Sequence, residues 1–149
     1  MLVDEKGYVA TVTMLDEVTL TNDFNGNFSE ATRLSPLAQV ELLLDYSMGE
    51  AETGNICTVR VQLSEGPEGP WRELSIGGDA APANGVVETT LYNRRFLIAG
   101  EGGITPTSRW FAFPSSAKYL RISALESGVA ANAGTLTAKL RLSNGLRTD

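Results

Sequence analysis

The chain has 149 residues, of which 42% are hydrophobic and 20% charged, with a net charge of −6. That length suits one domain with one core and no staple, and that composition excludes a disordered chain. The acidic balance argues against direct nucleic-acid binding, because phosphate neutralisation needs lysine and arginine. There is no histidine and a single cysteine, Cys57. A Ser-His-Asp triad, a Cys-His pair, a histidine-bearing zinc site and an intrachain disulfide are therefore excluded.

In chain order, Met1 to Lys6 carries neither a basic region nor an apolar run of the kind a secretory signal needs. No apolar stretch approaches the ~20 residues of a membrane helix. The first expected strand is Tyr8 to Met14, rich in β-branched residues. Asp23-Phe24-Asn25-Gly26-Asn27 resembles a calcium loop only faintly. Gly26 comes too early for an EF-hand and Leu34 stands where its final glutamate belongs, so an Asn-Gly turn is expected. Val40 to Tyr46 places Val40, Leu42, Leu44 and Tyr46 on one face.

Cys57 to Leu63 alternates strictly, with Cys57, Val59, Val61 and Leu63 on one side and Thr58, Arg60 and Gln62 on the other. Ser64-Glu65-Gly66-Pro67-Glu68-Gly69-Pro70-Trp71 follows. Its two Gly-Pro pairs predict a hairpin turn that sets Trp71 over the end of the core. Glu65 and Glu68 have the residue types of a glycosidase acid pair, but nothing in the sequence raises either pKa. Long loops rich in small residues are expected between Trp71 and Arg109, interrupted by a strand at Val86 to Tyr92 after the Asn84-Gly85 turn signal. Arg94-Arg95 is a basic doublet, either solvated or anchored to an acidic neighbour. Gly100-Glu101-Gly102-Gly103 lacks the ending of a phosphate-binding loop.

Arg109 to Phe113 is a short aromatic strand expected to stop at Pro114, with Trp110 and Ala112 on one face and Arg109, Phe111 and Phe113 on the other. One face is core; the other is either core too or an interface. Tyr119 to Ala124 and Thr135 to Leu142 alternate cleanly. Leu120, Ile122 and Ala124 point inward in the first; Leu136, Ala138, Leu140 and Leu142 do so in the second. The elements sum to an all-β fold, an antiparallel β-sandwich or jelly roll of about seven to nine strands with long Gly/Ala-rich loops. One domain spans residues 1–149, with short terminal arms at 1–6 and 145–149. Charge is uneven: residues 1–88 hold 15 acids and 4 bases, residues 89–149 hold 3 acids and 8 bases. Either the signs interleave on the surface or the two-signed molecule attracts copies of itself.

Three motifs in order carry a resemblance. Val61-Gln62-Leu63-Ser64 precedes the Gly/Pro turn and Trp71; Ala117-Lys118-Tyr119-Leu120-Arg121-Ile122-Ser123-Ala124 comes later; Gly134-Thr135-Leu136-Thr137-Ala138-Lys139-Leu140 closes the series. This order resembles small β-sandwich structural proteins of tailed bacteriophages, over roughly residues 55–142. The resemblance implies a virion protein in many copies, assembled in the host cytoplasm. Such a protein decorates and cements the capsid, often as a trimer touching the major capsid protein, or serves in the tail, baseplate or head-tail region. A carbohydrate-binding sandwich is the alternative, with Trp71, Trp110 and Tyr92 as its platform. No catalytic residue, cofactor, metal, nucleic acid or membrane is expected. The expected interface residues are Trp71, Arg94, Arg95, Trp110 and Phe111.

Overall fold

A computed structural model describes residues 2–4, 7–34, 38–74, 95–101 and 106–144. Ten strands run through them: β1 (Leu2–Asp4), β2 (Gly7–Thr19), β3 (Thr32–Arg33), β4 (Ala38–Ser47), β5 (Ile56–Ser64), β6 (Arg72–Glu73), β7 (Arg95–Ala99), β8 (Thr107–Ser115), β9 (Tyr119–Ser127) and β10 (Thr135–Asn144). One sheet has the order β1-β2-β10-β4-β8. The other has the order β3-β9-β5, with β6 and β7 sharing the remaining edge of β5. Every pairing is antiparallel. The fold is the expected β-sandwich. The strand count passes nine because β1, β3 and β6, each of two or three residues, are too short to show a period.

The alternation read from the sequence becomes the core. Val40, Leu42, Leu44 and Tyr46 of β4 join Leu136, Ala138, Leu140 and Leu142 of β10 on one inner face. Cys57, Val59 and Val61 of β5, Leu120, Ile122 and Ala124 of β9, and Phe96 and Ile98 of β7 form the other. Burying a side chain of this kind contributes about 1.5–3 kcal/mol, so these strands hold the two layers together. Thr13 to Leu15 of β2 meets β10 with register shifts, and Glu17 adopts a φ of 46° beside them. Its N–H donates to Thr137 Oγ1 at 3.0 Å, which anchors the irregularity.

Two expectations change. β8 runs through Pro114 to Ser115 instead of stopping before it. It pairs only with β4 among the described residues, and an edge strand tolerates a missing N–H. β7 lies where only loop was expected; its five residues alternate Phe96 and Ile98 inward with Leu97 outward. The strand expected at Val86 to Tyr92 lies outside the described residues. Among the described residues, no helix is long and apolar enough to cross a membrane.

Candidate functional site

The outer face of the second sheet gathers arginines and aromatic rings. β5 turns Arg60 and Gln62 outward and β9 turns Tyr119 and Arg121 outward, because their neighbours fill the core. Register sets Arg60 opposite both Ser123 and Arg95, and Gln62 opposite both Arg121 and Glu73. Like charges directly opposite destabilise a sheet unless something separates them. Here rings do so. The Arg60 guanidinium carbon lies 4.4 Å from the Phe24 ring centroid and 5.7 Å from that of Phe28. Arg95 lies 5.3 Å from Phe24, and Arg121 lies 4.5 Å from Phe28 and 4.4 Å from Trp71. The result is a ladder, Arg95–Phe24–Arg60–Phe28–Arg121–Trp71, with cation–π contact at each step.

The segment carrying Phe24 and Phe28 is fastened along the outer edge of β9. Ser29 donates its N–H to Ile122 O at 2.8 Å, Ala124 donates to Asn27 O at 3.3 Å, and Glu126 donates to Thr21 O at 2.8 Å. Within it, Asp23 caps a short 3-10 turn over Phe24–Gly26 by accepting the Asn25 N–H at 2.9 Å. Gly26 is required by space: a Cβ there would stand 2.5 Å from Thr21 Oγ1. This is the Asn-Gly turn expected in place of a calcium loop. No group of three His, Cys, Asp or Glu side chains suited to a metal occurs among the described residues.

Polar contacts orient the guanidiniums. Arg95 makes a two-point pair with Glu73, at 2.6 and 3.3 Å, which raises its pKa. Arg60 Nε donates to Ser123 Oγ at 3.1 Å and Arg121 Nε donates to Gln62 Oε1 at 2.8 Å. Loss of solvent lowers the pKa of both Arg60 and Arg121, and Arg60's charge lowers that of Arg121 further.

The five residues expected at an interface separate. Trp71 stands half-buried on the ladder, against Arg121 and not over the end of the core. The β5–β6 turn, held by Ser64 Oγ donating to Gly66 O at 2.7 Å, swings it onto the outer sheet face. Arg95 is anchored to an acidic neighbour, Glu73 of its own chain. Arg94 lies outside the described residues. Trp110 is 57% exposed on the outer face of edge strand β8, in register with Leu43 of β4. Phe111 turns inward and packs on Phe96, ring centroids 4.4 Å apart. Phe24 and Arg121 lie in motifs read for other reasons, and Phe28, Arg60 and Glu73 in none; no motif marks these five as one surface. The outward positions of Arg60 and Arg121 follow from alternation, but their meeting depends on a strand register that no local pattern encodes.

Two glutamates, Glu52 and Glu126, share one partner. Asn55 Nδ2 reaches Glu52 at 3.1 Å and Glu126 at 3.5 Å. Glu126, 1% exposed, also accepts from Tyr46 Oη and, at 2.7 Å, from Gly134 N. Glu52 accepts from the backbone N–H groups of Ala130, Ala131 and Asn132 at 2.7, 3.1 and 3.3 Å. The Asn55 amide, followed by these N–H groups, lowers its pKa from 4.5 to about 2. Burial, then the Glu126 carboxylate, pushes Tyr46 well above the usual phenol range. This cluster ties the 128–134 loop to the 48–55 loop, with Glu52, Asn55 and Glu126 buried.

No family model matches the chain, and no curated protein matches it. Among solved structures, that of the infectious bursal disease virus Gx strain overlaps 97% of the chain at 14% identity and a TM-score of 0.46. The disulfide-linked pili of Bacillus endospore appendages overlap 97% at 10% identity and a TM-score of 0.38. The chain spans 35% of the viral protein's length and 95% of the pilus protein's. At 14% and 10% identity and TM-scores below 0.5, neither overlap carries a functional argument.

Proposed function

We propose that the protein is a non-enzymatic structural component of a virion, a capsid decoration protein that assembles as a trimer and cements the shell. The observation that carries this reading is Trp110. A tryptophan 57% exposed on an edge strand, beside the outward Leu43, is interface chemistry. Aromatic anchors of this kind hold most of the energy of an interface, and repeated copies gain avidity from modest single contacts. The sequence motifs that resemble tailed-phage structural proteins lie on the β5 end, the turn before Trp71, β9 and β10, and are framework of the two sheets.

A glycan platform is less favoured, because Trp71 and Trp110 stand on the outer faces of different sheets and Trp71 is stacked on Arg121. Tyr92 lies outside the described residues. A tail or baseplate role would use the same edge in a ring of different copy number. The test is addition of purified protein to undecorated capsids, with wild type and Trp110→Ala compared. Saturable wild-type binding that raises the temperature of capsid disruption, lost in the variant, is the expected result; equal behaviour of the two proteins removes Trp110 from the interface.

A further inference from the structure

The arginine–aromatic ladder is a second surface, on the sheet opposite Trp110, and the role proposed for Trp110 leaves it unused. We propose that it binds an extended acidic segment of a partner protein, one whose carboxylates fall on alternate residues.

Three observations lead there. First, the ladder's cations are incompletely matched. Arg95, Arg109 and Arg141 take the ion pairs found among the described residues; Arg60 and Arg121 are in none of them, Arg60 feeling Glu73 and Asp23 only from beyond ion-pair distance. Each of these two has only its Nε hydrogen-bonded among the described residues, so both terminal nitrogens are left to donate. A planar guanidinium fork with free ends fits a carboxylate at two points. The side chains are already fixed by Phe24, Phe28 and Trp71, so little freedom is lost on binding.

Second, the spacing selects an extended partner. Arg60 faces Ser123 across the β5–β9 pair, which makes Arg121, two residues away, its diagonal neighbour. Diagonal neighbours sit about 7–8 Å apart. Side chains on one face of an extended strand repeat about every 6.6 Å. Carboxylates at i and i+2 of such a strand therefore match the two arginines.

Third, the chemistry narrows the source. The rings are engaged by guanidiniums at 4.4 to 5.7 Å and are not open platforms for bases. Nor does a second copy of this chain supply the motif. Glu50 and Glu52 are its only carboxylates spaced i and i+2, and Glu52 is buried and bonded to three backbone N–H groups. The occupant is a different protein.

The experiment uses the full chain and a short fluorescent peptide alternating threonine and glutamate, with binding read by anisotropy at low and high salt. Three competitors of matched length are a threonine–glutamine peptide, a peptide of the same composition with its glutamates in one block, and an oligothymidylate. The alternating glutamate peptide should bind, weaken with salt, and outcompete all three. Arg60→Gln and Arg121→Gln should each weaken it by about tenfold or more, the loss of one charge-assisted pair. Arg109→Gln, away from the ladder, should leave it unchanged. No binding of the alternating peptide, equal binding of the block or glutamine peptide, or tighter binding of the oligonucleotide overturns the proposal. The peptide comparison on wild-type protein decides the matter even if an arginine variant fails to fold. Self-association through Trp110 is read separately, so failure of one assignment leaves the other standing.

Discussion

Glu52 accepts from Asn55 and from three successive backbone N–H groups. Its folded pKa of about 2 lies below the ordinary 4.5. A depressed carboxylate contributes stability that is complete above its unfolded pKa and lost as pH falls through the folded one. Wild-type urea midpoints should therefore drop between pH 4.5 and about 2. Glu52→Gln should be less stable than wild type at neutral pH and flatter across that window; parallel curves would deny Glu52 this role. Tyr46 presents the same logic from the donor side. Tyr46→Phe leaves buried Glu126 short of a partner and should cost about 1–3 kcal/mol in urea unfolding. Cys57 is fully buried, and burial with the charge of Glu126 pushes its thiol up to about 12. A thiol reagent should label it only as fast as the protein unfolds, and rapid labelling of the native chain would contradict the packing described.

At the level of strands, the inner and outer faces differ in what they tolerate. Leu42 is fully buried on β4, an interior strand of the first sheet, and Leu42→Ala should cost about 2–5 kcal/mol. Trp110→Ala, on the outer face of β8, should change the stability of the single chain by about 0.5 kcal/mol or less, read at a concentration low enough to dissociate the assembly. Urea unfolding of both variants checks the contrast, and comparable losses would place Trp110 in a core. Period-two alternation makes β4, β5, β9 and β10 legible in the amino-acid sequence, because each has one face in the core. β7 is not legible there: five residues between loops give too few alternations, and its Leu97 is outward and apolar. Glu126 is hidden for the opposite reason. It continues the inward series of Leu120, Ile122 and Ala124, where a charge is not expected without partners from distant loops. The ladder is illegible because its members come from the 24–28 turn and from β5, β7 and β9, joined only by register.

Across the whole molecule, the sandwich presents two outer surfaces of different chemistry. The first sheet offers an apolar edge at Trp110 and Leu43; the second offers guanidiniums fixed by rings. Folding draws Arg60 of the acidic N-terminal part together with Arg95 and Arg121 of the basic C-terminal part. An assembly built through the Trp110 edge is tested most directly by the mass of the protein in solution. Light scattering of the wild type over a range of concentrations should give the mass of three chains, and Trp110→Ala should give the mass of one with an unchanged circular dichroism spectrum. A wild-type protein that stays at the mass of a single chain throughout would contradict the claim.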